Sequence, residues 1–221
     1  MATNFPGSLD SFTNPSASDA MDSVTVPHAT QHANLNDAVE ALQSKVGVDG
    51  SAVTTSLDYK VANQGLTFIK SVTVGSGVSS VTVSNAFDSR FDNYRVIMSG
   101  GTSTNLHDVG VQIGSSTTGY YGVLLYGSVG AGSPSIASRS NHTSLSWVGG
   151  GDAVTTSATF ELFNPYQAMY TTIRNGCYQA NGYGVMNGEH RVSSSYTGFT
   201  LLISNGTITG GTIRVYGFNN G

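Results

Sequence analysis

The sequence predicts a mainly β protein: an antiparallel, jelly-roll-like β-sandwich, preceded by an extended arm and one short amphipathic, coiled-coil-like helix. Three observations carry this expectation. From residue 66 onward apolar residues recur with period two, and turn signals interrupt them every 8–12 residues, the pattern of short strands packed in two sheets. Only one stretch, 28–46, has convincing helical spacing. Only 10% of the 221 residues are charged, while Gly, Ser, Thr, Asn and Tyr are abundant, which suits β-structure whose outer faces are polar without being charged.

The chain is long enough for one good-sized core or two small ones. A net charge of −4 with no Lys/Arg cluster argues against a nucleic-acid partner. The charge is uneven: residues 1–65 hold seven acidic and two basic side chains, whereas 66–221 hold six and seven. That shift marks a boundary near 65 and leaves an acidic half suited to a basic surface on a partner. The single cysteine, Cys177, excludes an intrachain disulfide. No basic segment leading into an apolar core marks a secretory signal, and no apolar run approaches a membrane span, so membrane insertion is not expected. Two sequons, Asn141-His142-Thr143 and Asn205-Gly206-Thr207, read as chance matches in an Asn/Thr-rich chain.

Residues 1–26 carry two prolines, many Ser, Asp and Asn, and few apolar side chains, too few to fold alone. The even spacing of Phe5, Leu9 and Phe12 suggests an arm that docks these three on another protein. Residues 27–65 form a second segment, helix and linker. Leu35, Val39, Leu42 and Val46 lie 4, 3 and 4 apart, and the same spacing runs back to His32 and His28, so one seam covers six positions. Pro27 suits the first helical position and Gly47 the stop. A seam this narrow on so short a helix needs a partner, either its own domain or copies of itself. Val53, Leu57 and Val61, four apart, fit a short second helix or an extended crossover.

The third segment, 66–221, is the β-sandwich. Its expected strands are 67–74, 78–83, 94–99, 109–113, 120–126, 144–148, 158–163, 169–174, 189–192, 199–204 and 212–218. The intervening Gly-rich stretches, among them 127–134 and Gly149-Gly150-Gly151-Asp152, are read as loops.

Two groups of residues carry a resemblance. The run from Pro27 through Leu42, followed by Lys45-Val46-Gly47-Val48-Asp49-Gly50 and on to Tyr59-Lys60, resembles an N-terminal module of tailed-phage virion proteins of the minor tail protein, tail fibre and head fibre types. The remainder is similar to a module from the same pool. It opens on Leu66-Thr67-Phe68-Ile69-Lys70, passes through Phe91-Asp92-Asn93-Tyr94-Arg95-Val96-Ile97, and closes on Thr207-Ile208-Thr209-Gly210-Gly211. The two cover nearly the whole chain. Ala33 departs from the family, which often has Asn there, a surface change. The resemblance implies a non-enzymatic structural protein on the virion surface, with no catalytic residues to transfer and no cofactor. It points to a tail fibre or minor tail protein, with a head fibre or capsid decoration protein as the alternative. The expected assembly is a homotrimer that grips other virion proteins through residues 1–65 and has His28, His32, Leu35, Val39, Leu42 and Val46 at the oligomer interface.

The residues themselves point the same way. His28 and His32 could supply two metal ligands, but no third lies nearby, and the pair reads better as a polar layer setting register in the seam. The chain has neither a Gly-x-Ser-x-Gly elbow nor a Gly-x-x-x-x-Gly-Lys-Ser/Thr loop. Glu161, in Phe160-Glu161-Leu162-Phe163, is expected on the solvent side of its strand by alternation. Pairing it with Asp152 as glycosidase carboxylates would require a separation that spacing does not supply. Trp147, Tyr166, Tyr178 and Tyr183 sit in or beside Gly/Asn-rich stretches and form the candidate surface for a host glycan, against the plainer role of capping the sandwich core.

Overall fold

The computed structural model describes residues 4–5, 7–8, 11, 18–24, 27–130, 133–179 and 182–220, the side chains of 177–179 excepted. The chain divides into two compact units, 1–64 and 65–221.

The first unit contains α1 (His28–Val46) and α2 (Leu57–Ala62). Pro27 occupies the N-cap, one position before the expected first turn. Gly47 closes α1 at φ 88°, its N–H donating to the Gln43 carbonyl at 2.8 Å, a backbone conformation that glycine adopts without the penalty of a Cβ. The stretch left open between helix and crossover is helical over Leu57–Ala62 only, with Val53 outside it: Ser56 caps α2 by accepting from the Tyr59 N–H at 3.2 Å. The described pieces of the N-terminal segment turn at 4–8 and at 20–23, where backbone bonds run from Gly7 and Ser8 to Asn4 and from Ser23 to Ala20. Leu9 and Phe12 lie outside the described residues.

The second unit is antiparallel β-structure with jelly-roll strand order. The first sheet runs β1 (Leu66–Thr73), β14 (Thr212–Phe218), β3 (Asn93–Ser99), β9 (Thr156–Phe163). The second runs β2 (Ser80–Val83), β12 (Phe199–Ile203), β5 (His107–Ile113), β8 (Leu145–Gly151). A short ladder between β8 and β9 joins them, and β4 (Thr102–Ser103) pairs with β13 (Ile208–Thr209) beside them. Inward residues alternate along each strand as period two requires: Tyr94, Val96 and Met98 from β3, Phe160 and Leu162 from β9, Val109, Val111 and Ile113 from β5, Phe199 and Leu201 from β12. The rings of Phe160 and Phe199, from strands that are not hydrogen-bonded neighbours, meet at 6.1 Å, so the two sheets face each other across this core. Tyr94 is fully buried, its hydroxyl donating to backbone carbonyls of Asp88 and Phe91 and accepting from the Asp88 N–H. Burial pushes its pKa up to about 12.

Two hairpins interrupt the jelly roll. β6 (Tyr120–Ser128) and β7 (Pro134–His142) lie between β5 and β8 in the chain; β10 (Thr171–Gln179) and β11 (Gly182–His190) lie between β9 and β12. They find each other. β11 pairs with β6 from Gly182↔Ser128 to His190↔Tyr120, and β10 pairs with β9 through Arg174↔Glu161. The first sheet is thereby extended to eight strands, β1-β14-β3-β9-β10-β11-β6-β7.

This extension corrects the sequence reading. β7 was not expected at all, the strands expected at 169–174 and 189–192 are longer, and the stretch around Tyr178 and Tyr183, read as Gly/Asn-rich loop, carries strand residues, β10 running to Gln179 and β11 starting at Gly182. The glycines misled: a Cβ on Gly182 or Gly184 would strike the carbonyl of Gly127 or Leu125 across the ladder, so these glycines allow close strand approach and do not break strands. The same holds in β8, where Gly149 and Gly151 face Ser157 and Thr155 carbonyls across the ladder to β9.

Candidate functional site

In α1 the apolar seam faces solvent. Leu35 and Leu42 are 59% and 52% exposed, and Val39 and Val46 are exposed with them. The side of the helix turned inward carries small and polar residues instead: Asn34 is buried, and Thr30, Ala38 and Ala41 are half-buried. Three or four residues separate these positions, so they form one face, rotated by a single residue from the seam. Among the described residues of 1–64 only Asn34 and Ser56 are buried, and α2 likewise exposes Leu57 and Val61. His28 and His32 stand at the N-terminal end of the seam, both exposed, their Nε2 atoms 2.9 Å apart and rings edge to face. One ring nitrogen donates to the other, which requires at least one neutral imidazole. Among the described residues no cluster of three or more His, Cys, Asp or Glu side chains could hold a metal, and no helix is long and apolar enough to cross a membrane. Phe5, at the start of the arm, is half-buried.

The four aromatic residues do not form one surface. Trp147 is only 3% exposed, held in β8 at φ 71° with the Arg139 guanidinium 4.3 Å above its ring and its carbonyl accepting from the Asn175 amide. It belongs to the core, and its burial beneath Arg139 leaves it unable to stack on an external sugar. Tyr166 packs against the core from its edge. The Tyr178 side chain lies outside the described residues. Tyr183 alone of the described three is largely exposed, at 63%.

What the structure does bring together lies on the outer face of the extended sheet. Register places Arg95 opposite Glu161, Glu161 opposite Arg174, and Arg174 opposite Asn187, one side chain per strand across β3, β9, β10 and β11. Glu161 is on the outer face as alternation requires, yet only 12% of its side chain is exposed, because two arginines cover it. Arg174 Nε donates to one carboxylate oxygen at 2.7 Å, and Arg95 donates twice to the other. The arginines are themselves seated on rings, Arg174 over Phe163 at 4.9 Å and Arg95 over Phe218 at 5.7 Å. Burial raises the Glu161 pKa, but the hydrogen bonds from Arg95 and Arg174 outweigh it and hold the carboxyl below its usual range. Asp152, the other carboxylate considered, caps its own turn by accepting from the Val154 and Thr155 N–H groups, and these bonds lower its pKa. Neither acid is poised to donate a proton near neutrality, which gives a glycosidase pair no support.

Beside the Glu161 triad lies a cavity of about 320 Å³ lined by Arg95, Thr159, Glu161, Arg174, Val185 and Asn187. A second depression, about 490 Å³, shares Asn187 and continues over Tyr121, Ser138, Thr172, Glu189 and Arg191. Of its three charged residues, Arg139, Glu189 and Arg191, the last two pair, Glu189 accepting from Arg191 at 2.5 Å while that guanidinium stacks on Tyr121 at 4.5 Å. Sequence reasoning saw Glu161 but missed this groove. Arg174, Asn187 and Tyr121 meet only through the pairing of the two inserted hairpins, for which spacing along the chain carries no signal.

The chain matches no protein-family model, no curated protein and no solved structure.

Proposed function

We propose that the chain is a non-enzymatic structural protein of a tailed-phage virion surface, a tail fibre or minor tail protein that assembles as a homotrimer. Residues 1–65 hold it to other virion proteins and the jelly roll projects outward, where it can contact the host. The observation that carries this reading is the inverted packing of the first unit. A helix that turns Asn34, Ala38 and Ala41 inward and leaves Leu35, Val39, Leu42 and Val46 to solvent is arranged to be covered from outside its own chain. The resemblance of 27–60 to a virion module points to the same use, and the jelly roll supplies a self-sufficient core that needs nothing from the anchor. The reading requires no cofactor, nucleic acid or membrane insertion.

Two measurements test it. In solution, the mass should lie near three times the 22.9 kDa of one chain. Gold-labelled antibody should decorate the tails of intact particles. Label confined to heads would assign the chain to head fibres or capsid decoration. Particles that carry no label would overturn the virion reading.

A further inference from the structure

We propose that the groove on the outer face of the extended sheet is a carbohydrate site that takes an oligosaccharide laid across the strands, with Asn187 between two adjoining subsites. The two depressions, about 320 and 490 Å³, each fall within the size range of small-ligand sites. Because they meet at one residue, an occupant longer than a single ring can engage both. A saccharide hydroxyl both donates and accepts, so it is best recognised by fixed acceptors standing beside fixed donors. The first depression offers that arrangement. The Glu161 carboxylate is an acceptor locked by Arg95 and Arg174, and Arg174 engages it through Nε, with 59% of its side chain still exposed. The exposed amide of Asn187 adds a donor and an acceptor on the next strand. The second depression repeats the theme with the Glu189–Arg191 pair, the exposed Thr172 hydroxyl and the phenol of Tyr121.

These groups stand on paired strands about 4.8 Å apart and are held by ion pairs and ring contacts, so little ordering is left to do when a ligand binds. The carboxylates of Glu161 and Glu189 stand among the guanidinium groups of Arg95, Arg139, Arg174 and Arg191, and each is paired with an arginine. Fixed carboxylates in the lining suit a hydroxyl-rich ligand better than a polyanion such as nucleic acid. The site differs from the one expected around Tyr178 and Tyr183. It stands on its own geometry and does not depend on where the protein resides, so failure to find the chain on a particle would leave it untouched.

The test uses the full chain on an array of neutral and uronate-bearing oligosaccharides of two to six units, followed by calorimetric titration of the best binder. Asn187→Ala and Arg174→Ala should each weaken binding at least tenfold. Thr82→Ala, on the opposite sheet, should leave it unchanged. Thermal melts of each variant separate lost binding from lost folding, and exposed Asn187 should not affect the melt. A neutral binder indifferent to salt and a uronate binder weakened by salt both support the site, and the contrast identifies its ligand. Absence of binding across the array, or binding that survives both groove variants, or binding abolished only by Tyr183→Ala, overturns the proposal.

Discussion

The two units of this chain solve opposite packing problems. In 65–221 two facing sheets enclose a large apolar core, with Tyr94, Phe160, Phe199, Met98 and Leu162 all fully buried, although the inserted hairpins leave Val123, Leu125, Ile136 and Val185 exposed. In the described part of 1–64 the Leu and Val side chains of both helices lie outside, and the two buried residues are Asn34 and Ser56. Hydrophobic burial is the main term opposing chain entropy. The first arrangement therefore sustains itself, while the second has little to hold it until another surface covers it. Independent stability thus belongs to the jelly roll, and under the proposed function the exposed helix seam is the part left for assembly.

Equivalent truncations in the two regions should have contrasting consequences. Phe160→Ala, in the core of the jelly roll, should cost about 3–5 kcal/mol, read from the urea midpoint. Leu42→Ala, on the exposed seam, should leave the jelly-roll transition where it was. Separating the units extends the test. Residues 66–221 should unfold cooperatively alone, and 1–65 should show no cooperative transition by circular dichroism. A short fragment that melts cooperatively as a monomer would show that 1–65 sustains itself as well.

The next effect falls on assembly. Leu35→Asp combined with Leu42→Asp places charges on the seam and should reduce the solution mass to one chain, with the β-sheet spectrum intact. A trimer that survives the pair would move the oligomer contact elsewhere.

Smaller effects sharpen the account of the sheet face. Glu161→Gln leaves Arg95 and Arg174 without their countercharge and should cost about 1–3 kcal/mol, less if solvent screens the exposed guanidinium groups. The folded pKa of Glu161 is depressed, so its contribution is present above the unfolded carboxylate range near 4.5 and is lost as pH falls through the lower folded value. The Gln variant should lack that part of the acid limb in a stability–pH profile.

The smallest effect concerns His190, buried against Tyr120 with its Nε2 2.8 Å from the Ser116 hydroxyl. Burial lowers its pKa, and a backbone bond to Thr118 only partly offsets this. The unfolded chain thus takes up a proton near 6.5 that the folded chain refuses. Stability should be complete above that pH and fall below it, by at most about 1.4 kcal/mol per pH unit until the folded pKa is passed. His190→Gln should flatten this slope. An unchanged slope would assign the titration to another group.

Much of the fold was legible because it rests on local periodicity. Alternation in Phe160-Glu161-Leu162-Phe163 placed Phe160 and Leu162 inward, and the 4-3-4 spacing with Pro27 and Gly47 bounded α1 to within a residue. Where glycine had two meanings, the reading erred: Gly149 and Gly184 looked like loop residues and are strand residues pressed against a neighbouring backbone. Trp147 lies in the strand expected at 144–148, beside a Gly-rich stretch, a position that suggests a sugar-stacking ring. It is in β8 but buried, with the Arg139 guanidinium of β7 over its ring.

By itself the sequence determined the alternating strands, the extent of the helix, the boundary near 65 and the seam of Leu35, Val39, Leu42 and Val46. Each of these depends on residues close in the chain, where side-chain direction follows directly from backbone period. Only the tertiary structure decided that β11 lies along β6, that Arg95 and Arg174 close on Glu161, and that Asn187 joins two depressions into a groove. Those contacts depend on which strand edges meet. Hydrophobic pattern shows that a strand needs a partner, but partner and register are settled by packing across the whole sheet.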